Sequence, residues 1–217
     1  MTRFLALALL AAGCAATPSP APPDAFDADG WLARARTAQA GPFADDPEQT
    51  AAKALSAELD AAVGWAEACD TWWNPDSGQL ETDPAPSPGF TRGTFEVHDV
   101  AGGAVVAVTC DFGAYQGSYA LVHVADGRAA LLPGQGVDSD GRLFGPPTAI
   151  YSTPAFDGSA RFETFAKARG LGDCGILATY EITGPGQTAL VQARARDCEG
   201  DPEAAGTPDT WPVVYGR

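Results

Sequence analysis

The chain has 217 residues, with 28 acidic against 13 basic side chains, a formal charge of −15 and a pI near 4.2. A field of that sign repels phosphate backbones and anionic head groups, so nucleic acid is not an expected partner. The length suits one ordinary core plus a tether, and the acidity reads first as solubility, with a cationic protein partner as the sharper alternative.

The first elements are targeting signals. Met1-Thr2-Arg3 is a short basic start, Phe4 to Ala12 carries no charge, and Gly13-Cys14 follows. This is the order of a signal peptide: n-region, apolar h-region, small-residue cleavage zone. An apolar run of that length is too short for a bilayer, which takes about 20 helical residues. Leu10-Ala11-Ala12-Gly13-Cys14 resembles the bacterial lipobox, in which the cysteine thiol takes a diacylglyceryl group and becomes the new N-terminus. The favoured leucine three places before the cysteine is here Ala11, with Leu10 one place earlier. Residues 1–13 are therefore expected to be removed, Cys14 to carry lipid, and a membrane to be the first partner. Cleavage near Ala16 without lipid is the alternative. Setting Cys14 aside leaves four of the five cysteines, an even number suited to a disulfide-permissive compartment. Ala15 in place of an aspartate resembles the outer-membrane sorting pattern, so the expected address is the outer membrane, facing the periplasm.

Residues 14–28 read as a flexible linker, with prolines at 18, 20, 22 and 23 and too little apolar surface to fold. Residues 29–92 read as a helical segment followed by a Pro-rich loop. From Asp29 to Ala40, Trp31, Leu32 and Ala35 recur at helical spacing before Gly41-Pro42 stops the pattern. A second helix begins after Asp46, with Pro47 in its first turn. Ala52, Leu55, Leu59, Ala62, Val63 and Ala66 then line one face as far as Ala68, with Gly64 weakening the last turns. Asn74-Pro75-Asp76 and Pro84, Pro86 and Pro88 exclude a helix or a central strand over Asp70–Arg92.

Residues 93–217 change period to short β-like runs. The expected strands are Thr94–Val100, Ala104–Cys110, Ser118–Ala125, Ala129–Leu132, Thr148–Ser152, Arg161–Ala168, Gly175–Ile182, Thr188–Asp197 and Val213–Tyr215. Asp126-Gly127 marks a tight hairpin. The fold class is mainly β: an antiparallel body (sandwich, barrel or propeller-like) stapled by disulfides, behind a short helical front.

Val108-Thr109-Cys110-Asp111-Phe112-Gly113-Ala114-Tyr115, the run Phe165 to Gly175, Cys198 and Trp211-Pro212-Val213-Val214-Tyr215 resemble the exported bacterial family called domain of unknown function 1176. The specific part is Arg169-Gly170-Leu171-Gly172-Asp173-Cys174-Gly175, and the resemblance runs from about residue 104 to 217. It implies an exported protein with two cysteine pairs and lends no activity. Four cysteines alone allow three connectivities. Chain order together with the resemblance favours Cys69 with Cys110 and Cys174 with Cys198.

Motifs for chemistry are sparse. Gly170 to Gly175 has the letters of a dinucleotide fingerprint, but that motif needs a following helix, and Ile176 to Ile182 reads as a strand. Asp138-Ser139-Asp140-Gly141 opens like a calcium loop without its closing glutamate, so it reads as a β-turn. His98 and His123 form no metal-ligand pattern, and no Gly-x-Ser-x-Gly elbow is present, so neither metal nor cofactor is expected. Two weak binding candidates remain. Trp65, Trp72 and Trp73 flank Cys69 and offer either stacking platforms for sugar rings or core packing over a disulfide. Asp173 lies in the glycine loop, with Lys167 and Arg169 placed to pair with it.

The expectation is an exported, monomeric, lipid-anchored binding module for an envelope protein or glycan, such as an inhibitor. A structural envelope component is second. A hydrolytic enzyme is third, and a pocket holding His98 or His123 against a carboxylate would revive it.

Overall fold

The computed structural model describes residues 26–74, 77–82, 91–112, 116–199 and 202–216, and of Trp72, Trp73 and Ala204 only the backbone. The signal segment, Cys14, the linker up to residue 25 and the prolines at 84, 86 and 88 lie outside the described residues.

Three helices open the described chain: α1 (Ala28–Ala38), α2 (Asp46–Val63) and α3 (Trp65–Asp70). Asp27 caps α1, its Oδ1 accepting from the Gly30 N–H at 3.0 Å. Where the periodicity predicts one helix to Ala68, Gly64 takes φ 68° and ends α2, and its N–H donates to the Asp60 carbonyl. The chain thus turns and restarts as α3, which presents Trp65 and Cys69 to the sheet.

The strands are β1 (Thr71–Asn74), β2 (Gln79–Thr82), β3 (Phe95–Val100), β4 (Gly103–Phe112), β5 (Gly117–Ala125), β6 (Arg128–Leu131), β7 (Gly134–Val137), β8 (Leu143–Thr148), β9 (Ile150–Ser152), β10 (Pro154–Phe156), β11 (Arg161–Lys167), β12 (Gly175–Gly184), β13 (Gln187–Arg196) and β14 (Val213–Gly216). They build two five-stranded antiparallel sheets. The first runs β3-β4-β5-β6, with β9 also on β5; the second runs β10-β11-β12-β13-β14. β9 and β10 are separated only by Thr153, so the chain passes from one sheet to the other at that corner. The hairpin turn between β5 and β6 has Asp126 at φ 51° and Gly127 at φ 70°, the positive values a two-residue turn requires.

The molecule is therefore a sandwich with helices on one outer side. Ala104, Val106, Val108, Ala120, Val122 and Val124 face the helices, where they meet Trp31, Leu59 and Trp65. Val105, Ala107 and Leu121 face the second sheet and meet Phe162, Ala178, Tyr180 and Ala193. Being covered on both faces is why Ala104–Cys110 is apolar at nearly every position instead of alternating.

Three further features depart from the strands expected. β1 and β2 form a hairpin in the stretch that reads as a loop, with Thr71 opposite Thr82. β7 and β8 form a second, with prolines at 146 and 147 near its end. β10 is a three-residue edge beginning with Pro154. Disulfides join Cys69 to Cys110, tying α3 to β4, and Cys174 to Cys198, tying the glycine loop to the segment after β13.

Candidate functional site

Trp65 is not available to a ligand. Its ring is 5% exposed, its indole N–H donates to the Ser56 carbonyl at 2.7 Å, and the Arg92 guanidinium lies 5.9 Å over the ring. Arg92 is held in turn by Asp70, at 2.7 Å, with the Asp70 Oδ1 off the N–H axis of an aligned hydrogen bond. Trp72 and Trp73 stand on β1 opposite Glu81 and Leu80, and their side chains lie outside the described residues. The Trp65 indole fills the gap between α2 and the first sheet.

Asp173 is engaged in structure. Arg169 reaches it with both arms, Nε at 2.8 Å from Oδ1 and the terminal nitrogen on Oδ2. That guanidinium holds the Asp173 carboxyl below the usual carboxylate range. Lys167, the other cation placed upstream, is not the one that pairs with it in these contacts. The glycines beside it have backbone duties: Gly175 sits at φ 140°, and a Cβ there would lie 2.2 Å from the Ala166 carbonyl oxygen. A strand, not a helix, comes after them, so the dinucleotide letters carry no nucleotide site.

The two histidines do not meet a carboxylate in a cavity. His98 stacks on Phe156 with centroids 4.5 Å apart, and its Nε2 lies 3.8 Å from Glu96 Oε2, beyond hydrogen-bond range. His123 is 5% exposed between the sheets, and neither ring nitrogen has a hydrogen-bond partner among the described residues. Burial lowers both imidazole pKa values. Among the described residues no group of three or more His, Cys, Asp or Glu is placed to hold a metal. Asp138 makes the expected turn, its Oδ1 accepting from the N–H groups of Asp140 and Arg142 at 3.0 and 2.8 Å.

The cavity with the richest chemistry lies between the β7–β8 hairpin and the inner face of the second sheet, with a volume of about 560 Å³. Its floor combines small side chains, Thr164 and Ala166 on β11 and Ala178 on β12, with Ile176 and Tyr180 of β12. The hairpin is pinned at one end by Tyr180, whose hydroxyl donates to the Gln135 carbonyl at 3.0 Å. At the other end Gly141 packs so closely on the Val214 carbonyl that a Cβ would lie 1.9 Å from it. Phe144, 47% exposed, stands on the hairpin wall beside Gly136. Tyr151 closes the β9 side, its hydroxyl donating to the Leu132 carbonyl at 2.9 Å. Burial raises the phenols of both tyrosines, Tyr180 to about 12, so they stay neutral donors at any ordinary pH.

The far end of this groove is built by the stapled loop: Ala166, Lys167, Ala168 and Gly175 line it together with Cys198. A second cavity of about 300 Å³ shares Gly136, Phe144, Ile150, Tyr151 and Tyr180 with the first. The sequence holds one signal for the groove, the run from Phe165 to Gly175, which points to Asp173 and not to the face beneath it. The opposing wall from Gly136 to Phe144 carries none.

No curated protein and no solved structure matches the chain. The family described as Protein of unknown function (DUF1176) matches residues 31–216. This corrects the resemblance placed from residue 104 onward. The helical front is part of the same family body because α1 to α3 share one core with β3, β4 and β5. Of the run Arg169–Gly175 only Gly175 lines the groove, and the chain belongs to the DUF1176 family.

Proposed function

We propose that this chain is an exported, lipid-anchored binding module of the cell envelope that holds its ligand in the groove between the β7–β8 hairpin and the second sheet. The observation that carries the reading is the groove's construction. A pinned hairpin, small residues on the sheet beneath it and a disulfide-stapled loop border an open volume of about 560 Å³. Rigid walls suit binding, since a preformed site spends less free energy on ordering itself. Neither His98 nor His123 is among the described residues that line it, which favours binding over histidine-assisted hydrolysis.

The test is native mass spectrometry of the protein isolated from its own envelope, beside an Ala166→Phe variant whose ring fills the groove. Wild type should carry an extra mass that the variant lacks. Equal spectra would remove the groove from consideration and leave the structural envelope role as the better reading. The anchor has its own test. Cys14→Ala should abolish incorporation of a clickable fatty acid, because the thiol is the group that takes the diacylglyceryl thioether; label persisting in the variant would overturn the lipoprotein reading.

A further inference from the structure

The lining of the groove narrows the class of ligand. Phe144 presents half of its ring to solvent on one wall, an apolar platform next to open space rather than a core contact. Opposite it Thr164 is 7% exposed and makes no side-chain hydrogen bond among the described residues, so its hydroxyl is left for the groove. Ser152 and Ser139 add hydroxyls along the sides. Asp197 stands exposed at the lip and Asp138 on the hairpin turn, where only its Oδ1 is used by backbone N–H groups. The site therefore combines a flat apolar surface, several hydroxyls, two carboxylates and two cations, Lys167 and Arg196, within one open cleft.

Resting on the groove reading above, we propose that the ligand is a neutral oligosaccharide. A sugar ring has an apolar C–H face, which suits the Phe144 platform, and a rim of hydroxyls. Those hydroxyls donate to carboxylates and exchange hydrogen bonds with Thr164, Ser152 and Ser139. A long aliphatic ligand would leave the Thr164 hydroxyl unpaired after water is expelled. Asp138 and Asp197 on the lining are balanced by Lys167 and Arg196, so the cleft itself has no net charge, and an anionic sugar finds there nothing to offset the repulsion of a chain of charge −15.

The experiment is calorimetric titration of the full lipoprotein, in a detergent without a sugar head group, with short oligomers of N-acetylglucosamine and, separately, with oligogalacturonate of similar length. Saturable binding of the neutral oligomer with none of the acidic one is expected. Phe144→Ala and Thr164→Val should each weaken it by about tenfold, the size of one lost stacking or hydrogen-bonding contact to a buried partner. Phe144→Tyr should keep it, because the aromatic face that stacks on the sugar is retained. Unchanged melting temperatures in these variants show that the loss is one of binding. Equal binding of the acidic oligomer overturns the charge argument, and binding that survives both Phe144→Ala and Thr164→Val overturns the site. If neither sugar binds, the oligosaccharide proposal fails. The groove reading still stands in that case if the native protein carries a mass that Ala166→Phe loses.

Discussion

The helix-covered face of the first sheet and the groove beneath the β7–β8 hairpin are packed differently. Toward the helices, Trp31, Phe95 and Leu59 are fully buried, and Trp31 also donates from its indole to the Leu55 carbonyl at 2.9 Å. Large side chains there close the gap between α1, α2 and the sheet. Toward the second sheet Val105, Ala107 and Leu121 pack on Phe162, Ala178, Tyr180 and Ala193, and the groove lies beyond that core, with Thr164, Ala166 and Ala178 on one side and Gly136 on the other. Small residues and a pinned hairpin cannot fill it. The packed faces supply stability and the groove supplies volume, and among the described residues of the first sheet only β9, through Ile150, Tyr151 and Ser152, reaches the groove.

The sharpest way to break that contrast is to swap their sensitivities. Trp31→Ala should cost about 3 to 5 kcal/mol, since it opens a cavity and orphans a carbonyl. Ala166→Phe, on the open side, should change stability by less than about 1 kcal/mol. Urea titrations of the two variants measure this, and comparable losses would show that the groove floor is ordinary core.

Next in size are the disulfides, one on each side. Sequence separations of 41 and 24 give loop-closure contributions of about 3 to 4 kcal/mol each on the chain-entropy model. The stability losses of Cys69→Ala/Cys110→Ala and Cys174→Ala/Cys198→Ala should thus be similar. Their effects on binding should not be: only the second pair borders the groove, so only its loss should release the bound mass seen in native spectra.

A smaller effect is expected at Asp173. Asp173→Ala should lower the melting temperature more than Asp173→Asn, whose amide oxygen still accepts from Arg169, and neither should alter binding, because Asp173 does not line the groove. The carboxyl titrates below its ordinary range in the folded chain, so its contribution is present above the ordinary carboxylate pKa. It is lost as the pH falls through the lowered value. The advantage of wild type over Asp173→Asn should therefore vanish in acid. Loss of binding in Asp173→Asn at full stability would move the loop into the site.

The smallest effect concerns His123, whose imidazole is buried on the sheet–sheet face. Burial depresses its pKa from the ordinary 6.5. The unfolded chain then binds the proton first, so stability is complete above the ordinary imidazole range and declines as the pH falls from there to the folded value. His123→Leu should flatten that decline in urea titrations spanning the range. An unchanged slope would assign it elsewhere, His98 first.

The range of each interaction sets how much of the fold is legible in the sequence. Helix α1, the Asp126-Gly127 turn and the long strands β3, β4, β5, β11, β12 and β13 lie where residue periodicity and turn chemistry place them, because those signals act over a few neighbouring residues. Gly64 is visible as a weak point, but whether a glycine frays a helix or reverses it depends on its neighbours downstream, here Trp65 seeking the core. Trp65 itself is ambiguous, since an indole beside a cysteine has the same letters whether it packs or stacks. The short strands β7, β8 and β10, with their glycines and prolines, contradict strand propensity and exist because the sandwich offers them partners.

By itself, then, the sequence determined the acidic surface, the mainly β body behind a helical front, and the cysteines available for pairing, each a property of composition or of short-range pattern. Tertiary structure alone decided that both faces of β4 and β5 are covered, that Arg169 rather than Lys167 holds Asp173, and that Gly136 and Phe144 stand across from Thr164 and Ala166. The physical reason is distance along the chain: a groove walled by the 136–152 and 164–198 segments is a product of sheet packing, and no local pattern in either wall encodes the space between them.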